Sequence, residues 1–345
     1  MNQTRTFLMF ALLAVAYMLF MAWEKDYAPP PQVAVASASS AATLSADGSV
    51  PGAIPGTATP SAASGPATAI ATDIAHAGQA PSQLISINTD VLQLSVDTRG
   101  GSVVHADLLA YPNAPRTHKA PNPPPTVLLA SDDTHYFVAQ SGLVSSSDTA
   151  PQDQPNHQAL FQSAQTTYTL ADGQNELNVE LTWQDAAGLK VTKTYSFKRG
   201  SYVIGMSQRI DNGTDKPWQG NAYQQLLRVA ATTTGNWLTN MSHPESRSFQ
   251  GAAWYTGEKF EKLPFADFKK EKDRLDGSIK GGWAAMLRLY FVTAWIPPAA
   301  ETDQYTTQTI NPDSAQPRYL IRAVGPALNV APGQSLTCPS WPRRC

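Results

Sequence analysis

The six histidines are the side chains of this sequence whose ordinary pKa lies closest to neutrality: His76, His105, His118, His135, His157 and His243. No two stand at HxH or HxxxH spacing, so a zinc site would need ligands gathered from distant loops. His243-Pro244-Glu245 sets an imidazole beside a carboxylate, an arrangement that loops commonly carry without chemistry. The sequence holds no GxSxG elbow, no P-loop and no GxGxxG fingerprint. Gly100-Gly101 and Gly281-Gly282 are isolated pairs, weak as phosphate cradles. Trp218, Trp237, Trp254 and Tyr255 could stack on a sugar face, although aromatic side chains more often fill cores or anchor loops. No catalytic, cofactor-binding or metal-ligating set emerges.

Composition narrows the partners. The net charge is −2 with 15% charged residues, and the one basic run, KKEKDR at 269–274, is interleaved with acids. Nucleic acid is therefore not an expected partner, because neutralising phosphates takes a basic face. Both cysteines, Cys338 and Cys345, fall in the last eight residues. A disulfide framework or a cysteine-ligated metal in the folded body is not expected.

The element that must place everything else is Phe7–Trp23, seventeen residues without a charge, Gly or Pro. As a helix it would run about 25 Å against a hydrocarbon core of about 30 Å. Eight strongly apolar residues in it (Phe7, Leu8, Phe10, Leu12, Leu13, Val15, Leu19, Phe20) favour insertion by about 2–5 kcal/mol together. Arg5 precedes the span and Glu24-Lys25-Asp26 follows it. With one basic side chain on each side, the amino-terminal amine and the acidic surroundings of Lys25 decide the orientation. The amino terminus is expected in the cytoplasm, with the remainder exported across the inner membrane. A cleaved secretory signal is the competing possibility. Its Ala34-Val35-Ala36 site lies eleven residues beyond Trp23, and the apolar run is long for one.

Residues 1–27 thus read as a stub and an anchor. Residues 28–83 are dominated by Ala, Ser, Pro, Thr and Gly and read as a linker too apolar-poor to fold. Order begins at Leu84. Leu92, Leu94 and Val96 alternate with polar residues, Thr98–Gly101 signals a turn, and Val103 and Val104 resume the pattern. A Pro-rich loop covers Tyr111–Pro125, with short strands at Thr126–Leu129 and His135–Ala139. From Tyr168 to Ile210 a meander is expected. Leu177, Val179, Leu181 and Trp183 lead into an Asp185–Gly188 hairpin. Val191, Tyr195 and Phe197 return, with Lys193 interrupting the apolar face. Arg199-Gly200 turns the chain again, and Tyr202, Ile204, Met206 and Ile210 form a third strand ending at Asp211-Asn212-Gly213. Strands at this spacing, without alternating helices, predict a mainly β antiparallel sandwich or barrel. Trp283–Ile296 is apolar enough to suggest a second span, but Arg288 at its centre would cost about 2.5–3.5 kcal/mol in a membrane helix. A buried strand pair is expected there.

Ala22-Trp23-Glu24-Lys25-Asp26 resembles the end of the first span in the bacterial YidC membrane protein insertase family. Four later blocks resemble the large periplasmic domain of that family, in order: 85–103, 170–202, 249–255 and 280–297. The resemblance implies a galactose-mutarotase-like β-supersandwich over 84–335 in the periplasm. It also implies non-enzymatic help in the insertion, folding and assembly of inner-membrane proteins, alone or with the Sec translocon. The implied partners are the lipid bilayer, the Sec translocon with its auxiliary subunits, and nascent membrane proteins. The residues after Gln334, SLTCPSWPRRC, do not look like the family, and 336–345 reads as an aberrant tail of a fragment lacking the insertase core. Two other functions remain open on the sequence. One is a periplasmic carbohydrate-binding or mutarotase-like protein. The other is a docking module that holds translocon partners on the periplasmic face.

Overall fold

The alternation is realised as antiparallel strands in three sheets. The computed structural model describes residues 81–118, 121–132, 135–145, 154–230, 249–270, 274–288 and 290–339. The chain divides into units Met1–Leu44 and Ser45–Cys345, and every described residue belongs to the second. The expected anchor and nearly all of the expected linker lie outside the described residues, as do His76, Trp237, His243 and Cys345. No described helix is long and apolar enough to cross a membrane.

The strands are β1 (Leu84–Asn88), β2 (Leu92–Asp97), β3 (Ser102–Pro112), β4 (Pro125–Leu129), β5 (Phe137–Ser145), β6 (Gln162–Ser163) and β7 (Thr167–Thr169). They continue with β8 (Glu176–Gln184), β9 (Leu189–Lys198), β10 (Ile204–Asn212), β11 (Trp218–Val229), β12 (Gly251–Tyr255) and β13 (Phe260–Pro264). The last are β14 (Asp276–Lys280), β15 (Trp283–Arg288), β16 (Phe291–Trp295), β17 (Thr302–Ile310), β18 (Arg318–Val330) and β19 (Ser335–Pro339). The largest sheet runs β14-β17-β18-β11-β5-β3-β2-β1-β7, with β4 beside β3. A second runs β19-β10-β9-β8-β6 and a third β13-β12-β15-β16. Every pairing is antiparallel except the short β1–β7 contact.

The expected meander is β8-β9-β10. Asp185 closes its first hairpin by accepting from the amides of Gly188 and Leu189, both at 2.8 Å. Val179, Leu181, Val191, Tyr195 and Phe197 join one continuous core with Ile85, Leu94 and Val96 of the large sheet. Each such side chain contributes about 1.5–3 kcal/mol on burial. Trp283–Ile296 contains the β15–β16 hairpin, as Arg288 required. Its guanidinium reaches out to the carbonyl of Val127 at 2.7 Å.

Three boundaries differ from the sequence reading. β5 begins at Phe137 and runs to Ser145, because it is a central strand buried on both faces and so lacks alternation. Tyr202 precedes β10 rather than opening it, and is exposed. The last strand, β19, places Leu336 to Cys338 in the fold, since it pairs with β10 from Ser335↔Asp211 to Pro339↔Ser207. Cys338 is thus part of the folded body, not of a tail.

Candidate functional site

Three of the described histidines and a buried lysine are held in structural contacts. His105 Nε2 lies 3.1 Å from Asp107, and His135 Nδ1 lies 3.1 Å from Asp132 at the surface. His157 is buried. Its backbone N–H donates to the Tyr223 hydroxyl at 3.0 Å, and that hydroxyl shares a second hydrogen bond with His157 Nδ1 at 2.6 Å. Burial, then the charges of Arg322 and Lys193, push the imidazole down to about 3, so it stays neutral. Gly142 leaves room for this pair, since a Cβ there would stand 2.7 Å from the Tyr223 oxygen.

Lys193, the interruption in the apolar face of β9, is wholly buried. Its ammonium donates to the carbonyl of Gly100 at 2.5 Å and of Ser141 at 3.0 Å, and lies 5.1 Å from the Phe161 ring. Two residues on, Tyr195 donates to the carbonyl of Gly101 at 2.5 Å. Successive side chains on one face of a strand thereby grip successive carbonyls of the β2–β3 turn. The glycine pair presents carbonyls inward rather than cradling an anion. Gly100 (φ 70°) and Gly101 (φ 58°) adopt the left-handed backbone this needs. Burial lowers the lysine pKa to about 7. Such an amine is a nucleophile in principle, but no solvent or substrate reaches this one.

The aromatic candidates also pack. Trp218 and Trp254 are buried in the core, and Tyr255 stacks on Trp283 at 6.2 Å. Gly281-Gly282 marks close backbone approach: a Cβ on Gly282 would meet the Tyr255 carbonyl at 2.2 Å. Among the described residues no group of three or more His, Cys, Asp or Glu could hold a metal ion.

Two surface features remain. One is an aromatic patch that the sequence analysis did not identify. Tyr111 at the end of β3 meets Tyr202 at 5.6 Å and Phe291 of β16 at 5.5 Å between ring centroids. Each ring comes from or beside a different sheet. Tyr290, 77% exposed, and Val292, 55% exposed, flank Phe291 along the chain, and Val203 flanks Tyr202. Tyr111 and Tyr202 are themselves exposed, and solvent-facing aromatic rings brought together by tertiary packing suit contact with protein or membrane. The other is a pocket of about 160 Å³ where β10 and β19 meet β11, β17 and β18, lined by Gln208, Gln224, Glu301, Asp303, Thr337 and Cys338 among others. Gln208, Gln224 and Asp303 sit at buried positions of strands far apart in sequence, and no local motif announces them.

Comparison with known proteins places this architecture. Residues 84–340 match the family described as the YidC periplasmic domain. The membrane protein insertase YidC of Thioalkalivibrio sulfidiphilus is 33% identical over 346 residues, 97% of this chain and 57% of that protein. Those of Methylococcus capsulatus and Stenotrophomonas maltophilia reach 35% over 324 residues and 37% over 337. The chain spans about half the length of the curated relatives it matches. Among solved structures, a galactose mutarotase-like protein from Lactobacillus casei is similar at 8% identity and TM-score 0.45, over 74% of this chain and 98% of that one.

Proposed function

Because this chain belongs to the YidC membrane protein insertase family, we propose that it serves the insertion, folding and assembly of inner-membrane proteins. The observation that carries this is the family match across 84–340, which takes in all three sheets. In this reading Phe7–Trp23 fixes the chain in the inner membrane with its amino terminus in the cytoplasm. Residues 28–83 act as the linker, and as a random coil of this length it would span on the order of 40 Å. The β domain stands in the periplasm.

Its contribution is contact rather than catalysis. His105, His135, His157 and the buried lysine are engaged in structural contacts, while the Tyr111–Tyr202–Phe291 patch offers apolar area to a partner. Aromatic side chains suit such a role, giving large contact area for little conformational entropy. The Sec translocon, its auxiliary subunits and nascent membrane proteins are the partners this position would meet.

Carbonate extraction and protease treatment of spheroplasts test the arrangement. The full chain should stay with the membrane after carbonate, and its β domain should be digested from the periplasmic side. Recovery in the cytosol, or protection of the domain in spheroplasts, would contradict it.

A further inference from the structure

The pocket between the sheets carries an excess of acceptors. Gln208 and Asp303 are 1% and 3% exposed and Gln224 is also buried, and one side-chain oxygen of each (Oε1, Oδ1 and Oε1) has no hydrogen-bond partner. All three residues line the pocket, together with the carboxylate of Glu301. An amide can turn over and offer its NH₂, but an ionised carboxylate only accepts. The two acids therefore set the sign of what the pocket receives. No Lys, Arg or His is among the lining residues.

The walls are apolar. Ala222, Ala323, Leu328, Leu336, Pro297 and Pro326 surround the acceptors, and no aromatic ring offers a sugar a stacking face. The opening is made by the backbone. The β11–β18 register shifts between Asn221 and Tyr223, opposite Gly325-Pro326. A bulge at that point parts the strands and accommodates a proline that cannot donate to the ladder. Gln208, Asp303 and Ala323 form the buried floor, while Pro326 and Thr337 are exposed at the rim. A volume of about 160 Å³ resembles a cavity that holds a six-atom ring.

We propose that this pocket binds a primary ammonium group carried on a short alkyl stem. The ammonium supplies three donors to the unpartnered oxygens and its charge offsets the two carboxylates. The stem lies along the alanine, leucine and proline walls. A free amine and the side chain of a lysine on a partner polypeptide present this same chemistry.

Binding also depends on pH. Burial first, then the charge of Glu301, raises Asp303 to about 7, so a proton competes with the cation below neutrality. The titratable groups near it are Glu301, Tyr305 and Cys338. The adjoining strands also carry Asp276, Lys280, Arg209, Asp211, Arg318 and Arg322, none of which lines the pocket.

The test is a methyl-NMR titration of the full chain in nanodiscs, read at Ala222 and Ala323. n-Butylammonium should shift both methyls saturably, about 10–100-fold more tightly than n-butanol, the ratio a charge-assisted hydrogen bond confers. Its affinity should rise about tenfold or more from pH 5.5 to 7.5. Asp303→Asn, which keeps shape and removes charge, should weaken binding at least tenfold at pH 7.5. N-acetyl-lysine methylamide binding as well as butylammonium assigns the site to a lysine side chain, and weaker binding assigns it to a free amine. Equal binding of butanol, a flat pH profile in the unaltered chain, or no saturable shift with either amine (a pocket that holds water only) would overturn the proposal.

Discussion

Replacing Lys193 by Met tests whether the buried ammonium clamps the β2–β3 turn to β9 as described. Methionine keeps the length of the stem and removes the charge. Burial lowers the folded-state pKa from 10.5 to about 7. Between those values the unfolded chain holds a proton that the folded chain has released. The contribution of Lys193 to stability must therefore rise with pH through that window and be flat below it. At 1.36 kcal/mol per unit, the gain between pH 6 and pH 9 is about 2.5 kcal/mol. Lys193→Met lacks this linkage, so the stability difference between the two proteins should change by that amount over the same interval. The variant also leaves the carbonyls of Gly100 and Ser141 without the N–H donors of Nζ, a pH-independent loss of about 1–3 kcal/mol each at most. Urea unfolding of the full chain, followed by tryptophan fluorescence at pH 6, 7.5 and 9, separates the two effects. Parallel pH profiles for the two proteins would refute the reasoning, because a lysine that stays charged and solvated through unfolding gives no slope.

Gly100→Ala should destabilise the domain by several kcal/mol or prevent folding, since its Cβ would stand 2.2 Å from the His157 carbonyl at φ 70°. Gly200→Ala, at the same φ with open space around it, should cost only about 1–2 kcal/mol, read as a shift in urea midpoint. Tyr223→Phe should cost about 1–3 kcal/mol by the same assay, because it strips the hydroxyl from both nitrogens it serves on His157. Asp303→Asn should stabilise the protein at pH 8 and lose that advantage by pH 4. The folded carboxyl, raised to about 7, retains a proton that the unfolded chain releases above about 4, so wild-type stability falls as pH rises through that window.

Much of this fold is legible in the sequence because half-buried strands write their environment into every second residue. The β8-β9-β10 meander, the Gly100-Gly101 turn and the strand nature of Trp283–Ile296 all follow from that period and from one costly arginine. β5 is less legible, since a strand covered on both faces has no alternation to show. Lys193 was conspicuous as a break in the pattern, yet only the fold reveals that its partners are carbonyls 93 and 52 residues away. The pocket had a fainter signal of the same kind. Gln208 sits between Met206 and Ile210 in the inward phase of β10, and Asp303 leads Tyr305 and Thr307 in the inward phase of β17. A polar residue at an inward position is what could have exposed the site. The aromatic patch had no such signal, because its rings converge from two strands and a loop through tertiary packing alone.

The central proposal is that this β domain offers a contact surface in membrane protein insertion. A photo-crosslinker at Tyr290, with another at Asp215 by the far end of β10, tests it in cells making an inner-membrane protein. The account predicts adducts with the nascent membrane protein or the Sec translocon from Tyr290 and none from Asp215. The same adducts from both positions, or none from either in a folded, membrane-bound chain, would contradict it.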